Sequence, residues 1–254
     1  EHAAVLDAVF RRVHVDASRV HAFGYSRGGF GAWYVALYHP DRLAGAIALA
    51  AGFDVAPGDD GFWKLLVRNV AHVSVLNAWG EVDPLTIEDL TGKKVESFAA
   101  SNRRFAREVR SMGLPITNLE VPSAAHHRLA PPGEAIREVL AARRPSDPAR
   151  VDHTFRHLYQ ASAYWLEGLS WVGPSWGEAP PPAEPRPGET AAAALARTLE
   201  PLLGRLAGER DGQTLRVERR HVGDVVVWLG ERAVDWDRPV RLEVDGRLAF
   251  SGRL

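Results

Sequence analysis

The 254-residue sequence contains no cysteine. That excludes disulfides, thiolate metal sites and a cysteine nucleophile, and leaves the redox compartment open. No apolar run approaches the roughly 18 residues that a membrane helix needs. Charge of one sign is also missing, since 31 Lys and Arg stand against 32 Asp and Glu. Neither nucleic acid nor an anionic membrane surface is indicated as a partner. There is no internal repeat and no signal-peptide pattern. The chain opens on Glu1 in what reads as a helix already under way, so an upstream segment is expected. What is present, 46% hydrophobic and 25% charged residues, is the composition of an ordinary soluble globular protein. It suffices for one large domain, or one domain plus a small one.

The apolar periodicity alternates. Val5, Leu6, Val9, Phe10 and Val13 share a helical face in residues 2–13. Strands are expected at 19–25, 43–51, 70–79 and 116–121, and helices at 28–39, 94–112 and 134–143. Pro40 stops the helix at 28–39, and Gly113 stands where a C-cap glycine belongs. Strands alternating with helices of ten or more residues predict an α/β domain with a parallel sheet and right-handed crossovers. After Arg144 the pattern changes. A Pro-rich stretch at 173–188 reads as a linker, and 191–206 as an Ala/Leu-rich helix. Strands follow at 215–219, 224–229, 240–244 and 248–252, with Asp245-Gly246 as a hairpin turn between the last two. The expected organisation is an α/β domain over 1–145, a connecting segment over 146–212 and a small β module over 213–254.

The sharpest feature is Gly24-Tyr25-Ser26-Arg27-Gly28, a G-x-S-x-G at a strand-to-helix junction. Such a turn lifts a serine hydroxyl above the sheet on a strained backbone, and glycines on either side let strand and helix pass closely. It also leaves the Arg27 N–H at a helix N-terminus, able to stabilise an oxyanion. A serine needs a base and an orienting acid to act as a nucleophile. Candidates for both follow along the chain, carboxylates first and then histidines. Asp83, in Gly80-Glu81-Val82-Asp83-Pro84, lies directly after the third strand, where open α/β sheets place their sites. Glu81 is the competing carboxylate. After the fourth strand comes Pro122-Ser123-Ala124-Ala125-His126-His127. Either histidine is a candidate base. Metal binding by the adjacent pair lacks further ligands. His153 and His157, four apart, read as packed or solvated side chains, and Trp33, Trp63, Trp165 and Trp171 as packing residues.

Residues 19–52 resemble the nucleophile-elbow region of the α/β-hydrolase superfamily. The nearest group is the esterase and prolyl-oligopeptidase-like branch, and the resemblance spans about residues 1–145. It implies the C-terminal half of an α/β-hydrolase sheet, preceded by upstream strands that hold a second oxyanion donor. It further implies a serine hydrolase acting on a small-molecule ester or a peptide through Ser26, Asp83 and His126. The Arg27 N–H would serve the oxyanion, with no metal or cofactor. Relatives of this kind are often exported. Residues 234–247 resemble a β segment attached to such hydrolases, with no activity to transfer. Two rivals stand beside this reading: a non-catalytic scaffold of the same fold, and an acyltransferase using the same three residues.

Overall fold

The computed structural model describes residues 2–52, 62–88, 94–174, 184–187 and 191–254. The chain divides after Arg144 into two compact units.

The first unit is built on a parallel sheet. Its strands are β1 (His21–Tyr25), β2 (Gly45–Leu49), β3 (Ser74–Gly80) and β6 (Ile116–Val121), hydrogen-bonded in the order β1-β2-β3-β6. Helices α1 (His2–Phe10), α2 (Arg27–Tyr38), α3 (Phe62–Leu66), α4 (Phe98–Arg110) and α5 (Gly133–Ala141) accompany it. All five residues of β2, GAIAL, are buried. A strand covered on both faces reads as a continuous apolar run for that reason. Successive side chains point to opposite faces. Ile47, Leu49, Leu76 and Ala78 pack against Ile136 and Val139 of α5. Asn77 instead meets Trp33 of α2. There the rings of Trp33 and Trp63 both stand edge-on to Phe105 of α4, at 5.4 and 4.8 Å between centroids.

Two short strands, β4 (Thr86–Glu88) and β5 (Lys94–Ser97), form an antiparallel pair beside the acid-bearing loop. The helix expected over 94–112 is therefore shorter. Its first four residues pair as β5, and the Ser97 side chain accepts the Ala100 N–H at 3.1 Å, which caps α4.

The second unit begins at Pro145. Its five-stranded sheet has the order β14-β13-β11-β10-β7, from β7 (Arg150–Phe155), β10 (Gly204–Asp211), β11 (Thr214–Arg220), β13 (Val240–Val244) and β14 (Arg247–Gly252). A three-stranded sheet has the order β12-β9-β8, from β8 (Ser162–Ala163), β9 (Leu166–Gly168) and β12 (Val225–Val227). Phe155, Trp165, Leu166, Leu206, Leu215 and Val217 form the shared core. The β13–β14 turn has positive φ at both Asp245 and Gly246, as its Asp-Gly sequence predicts.

Two expectations are corrected in this unit. The helix expected over 191–206 ends early, because α6 covers only Ala191–Leu199. Pro201 follows in a short 3-10 turn, and from Gly204 burial alternates with period two, which is the signature of a strand. Residues 150–155 and 204–211, expected within a connecting stretch, are strands of the same sheet as β11, β13 and β14. His153 and His157 do not share a helix face. His153 lies buried on β7 and bonds the Gln160 carbonyl through Nε2 at 2.7 Å. His157 precedes a 3-10 turn and stacks on Tyr159. Burial, with a contribution from Arg156, holds the His157 imidazole below its usual pKa. The Gly/Asp/Pro-rich stretch at 53–61 and most of the Pro-rich stretch at 173–188 lie outside the described residues. Among the described residues no helix is long and apolar enough to cross a membrane.

Candidate active site

Ser26 separates β1 from α2 with φ 54° and ψ −117°. A non-glycine residue in such a region costs of the order of 1–3 kcal/mol unless its surroundings impose it. Two backbone hydrogen bonds impose it here. The Ser26 N–H donates to the Leu49 carbonyl at 2.8 Å, and the Ser26 carbonyl accepts the Phe30 N–H at 3.2 Å. The helical ladder begins with that second bond, so the Arg27 N–H stands in the unladdered first turn of α2.

The glycines flanking the serine are not equivalent. A Cβ on Gly24 would lie 1.8 Å from the Gly28 carbonyl oxygen and 2.0 Å from its carbon. A Cβ on Gly29 would lie 2.8 Å from the Leu49 carbonyl oxygen. A Cβ on Gly28 would meet nothing within 4 Å. The close passage of strand and helix thus rests on Gly24 and Gly29, whereas the motif alone assigned it to Gly24 and Gly28.

The three side chains that the sequence singled out lie in one hydrogen-bonded line. His126 Nδ1 is 2.7 Å from Asp83 Oδ2, and His126 Nε2 is 2.9 Å from Ser26 Oγ. Asp83 and His126 are each only 4% exposed. A carboxylate facing Nδ1 accepts from it, and the tautomer with its proton on Nδ1 has Nε2 able to accept from the serine hydroxyl. The other carboxylate oxygen of Asp83 accepts the Leu85 N–H at 3.0 Å, which fixes its orientation. His127 is exposed and stands edge-on to His126. Glu81 does not reach the imidazole line. Its carboxylate accepts the Ser123 N–H at 2.8 Å.

Sequence reasoning passed over three neighbours. The Tyr25 hydroxyl donates to the His126 carbonyl, and its ring stands edge-on to the imidazole at 6.0 Å. Phe98, the first residue of α4, stands edge-on to it at 5.9 Å. Asn102, fully buried, donates to the Ala51 and Phe98 carbonyls at 2.6 and 2.8 Å. It also accepts from Asn77, which in turn bonds Asn118 and Trp33. The polar Asn77 in the otherwise apolar run Val75–Trp79 was the available signal for this network.

Comparison with known proteins finds similarity over part of the chain. A family model described as the alpha/beta hydrolase fold matches residues 1–88. A candidate esterase, NocK, of Nocardia uniformis subsp. tsuyamanensis is 34% identical over 82 residues, which is 32% of this chain and 22% of that protein. The chain thus spans about a fifth of the length of this curated relative. Among solved structures, a thermostable esterase is 19% identical with a TM-score of 0.44, covering 56% of this chain and 36% of that one. FphF, a fluorophosphonate-binding serine hydrolase of Staphylococcus aureus, is 18% identical with a TM-score of 0.37, covering 55% and 60%.

Proposed function

We propose, taking the α/β-hydrolase fold of the first unit as premise, that this chain is a serine hydrolase cleaving an ester or amide of a small molecule or peptide through an acyl-enzyme. The observation that carries the reading is the line Ser26–His126–Asp83, with contacts of 2.9 and 2.7 Å at the end of the sheet. In this reading His126 Nε2 takes the hydroxyl proton as Ser26 Oγ attacks the carbonyl carbon. The Arg27 N–H donates to the oxyanion. Asp83 holds the imidazole in its tautomer and stabilises the imidazolium. His126 then returns the proton to the leaving group, and water, deprotonated by the same ring, releases the acid. The esterase name of the Nocardia relative supports an ester as the first substrate to try.

A fluorophosphonate probe tests the proposal directly. The wild-type protein is expected to label covalently and to hydrolyse p-nitrophenyl acetate. Ser26→Ala is expected to lose all labelling and at least ~10³-fold in turnover at an unchanged melting temperature. Wild-type turnover in that variant defeats the proposal, and an unlabelled wild type favours the non-catalytic scaffold. A product that carries the acyl group on an added alcohol in place of water favours the acyltransferase.

A further inference from the structure

Glu81 is the carboxylate that the proposed reaction leaves unused. Its Oε2 accepts the N–H of Ser123 at 2.8 Å. Ser123 has φ 54°, in the left-handed region that a serine seldom occupies. A hydrogen bond to a charged acceptor is of the stronger class and offsets that cost. The surrounding contacts run between the same two loops. The Glu81 N–H donates to the Val121 carbonyl at 3.0 Å, and the Val82 N–H to the Ala124 carbonyl at 3.0 Å. Arg103 of α4, paired with Glu120, donates to the Glu81 carbonyl at 3.3 Å. A Cβ on Gly80 would lie 2.3 Å from the Ala124 oxygen, so the loops are also in backbone contact. His126 follows two residues later. Of the hydrogen bonds made directly between the two loops, the one to Ser123 is made by a side chain, while the Arg103 guanidinium ties Glu81 to Glu120 from α4.

We infer that Glu81 is a positioning residue, fixing residues 121–124 so that the His126 ring stays in line between Asp83 and Ser26. The inference rests on the hydrolase reading. If the loop moves, Nε2 moves off the serine hydroxyl, and acylation and deacylation, which both use that ring, slow together. The loss therefore falls on kcat and on Ser26 reactivity, not on KM.

The experiment compares wild type, Glu81→Ala, Glu81→Gln and Ser26→Ala as full chains. It measures the second-order rate of fluorophosphonate labelling, and kcat and KM on p-nitrophenyl acetate, with thermal melts alongside. Because a misplacement of ~1 Å can cost ~100-fold, Glu81→Ala is expected to label about 10- to 100-fold more slowly, with KM little changed. Glu81→Gln keeps an oxygen that accepts the Ser123 N–H and is expected to recover most of the rate. Wild-type labelling by Glu81→Ala overturns the inference. So does a Gln variant as slow as the Ala variant, or a change confined to KM. Undiminished labelling of Ser26→Ala instead overturns the hydrolase reading on which it stands.

Discussion

Replacing Gly24 and Gly28 separately by alanine is expected to give opposite results, although both belong to one five-residue motif. At position 24 the added methyl would stand 1.8 Å from the Gly28 oxygen, 2.0 Å from its carbonyl carbon and 2.7 Å from the Gly29 nitrogen. All three obstacles are backbone, so no side-chain rotation relieves them. The turn would have to open by more than ~1 Å to restore ordinary contact distances. Overpacking against movable side chains costs typically ~1–3 kcal/mol. Against a backbone anchored by the Leu49 and Phe30 hydrogen bonds, a loss above ~3 kcal/mol is expected for Gly24→Ala. Ser26 would be displaced with the turn, so fluorophosphonate labelling should fall with stability. At position 28 a methyl meets nothing within 4 Å. The residue lies in α2, where alanine is favoured over glycine by up to ~1 kcal/mol. Gly28→Ala should thus be neutral or slightly stabilising. Urea denaturation of both variants, with labelling rates, decides the matter. Equal destabilisation by the two substitutions, or a wild-type midpoint for Gly24→Ala, refutes the steric argument.

Asp83→Asn should leave the fold intact by circular dichroism but lower kcat by roughly 10³- to 10⁴-fold, because an amide can donate to Nδ1 and so leave the proton on Nε2, facing the serine. Undiminished turnover in that variant removes Asp83 from the reaction. Asp41 offers a test of pH dependence: burial raises its pKa from 3.8 to about 6, against the opposing pull of Arg42 and Arg144. Between those values the folded state holds a proton that the unfolded state releases, so this group makes stability fall as pH rises through that window, with the full cost above about 6. Asp41→Asn should accordingly raise stability at pH 7 by at most ~3 kcal/mol and leave it nearly unchanged at pH 3, as read by urea midpoints.

The parallel sheet was legible because each of its strands carries a short apolar run bounded by turn signals. The G-x-S-x-G junction was legible because the strand-to-helix context stood around it. Choosing Asp83 over Glu81 was harder. Both sit in one loop, and only the folded chain distinguishes a side chain buried against His126 from one that reaches across to Ser123. The steric role of Gly29 could not be read, since its contact with Leu49 is made between residues distant in sequence. In the second unit the expected helix runs three residues into β10, because Leu203 and Leu206 prolong an Ala/Leu-rich pattern. Pairing on both sides, with β7 and β11, overrode that local preference. Strand β7, Arg-Val-Asp-His-Thr-Phe, alternates correctly but is short, and its partner lies far along the chain.

That distance carries a consequence for biosynthesis. Phe155 pairs with Gly204, so β7 leaves the ribosome about 50 residues before its partner, a wait of roughly 2–10 s at ordinary elongation rates. Throughout it Val151 and Phe155, buried in the finished protein, have no sheet to cover them. Newly made chains stalled between these two strands would present both residues to chaperones and proteases.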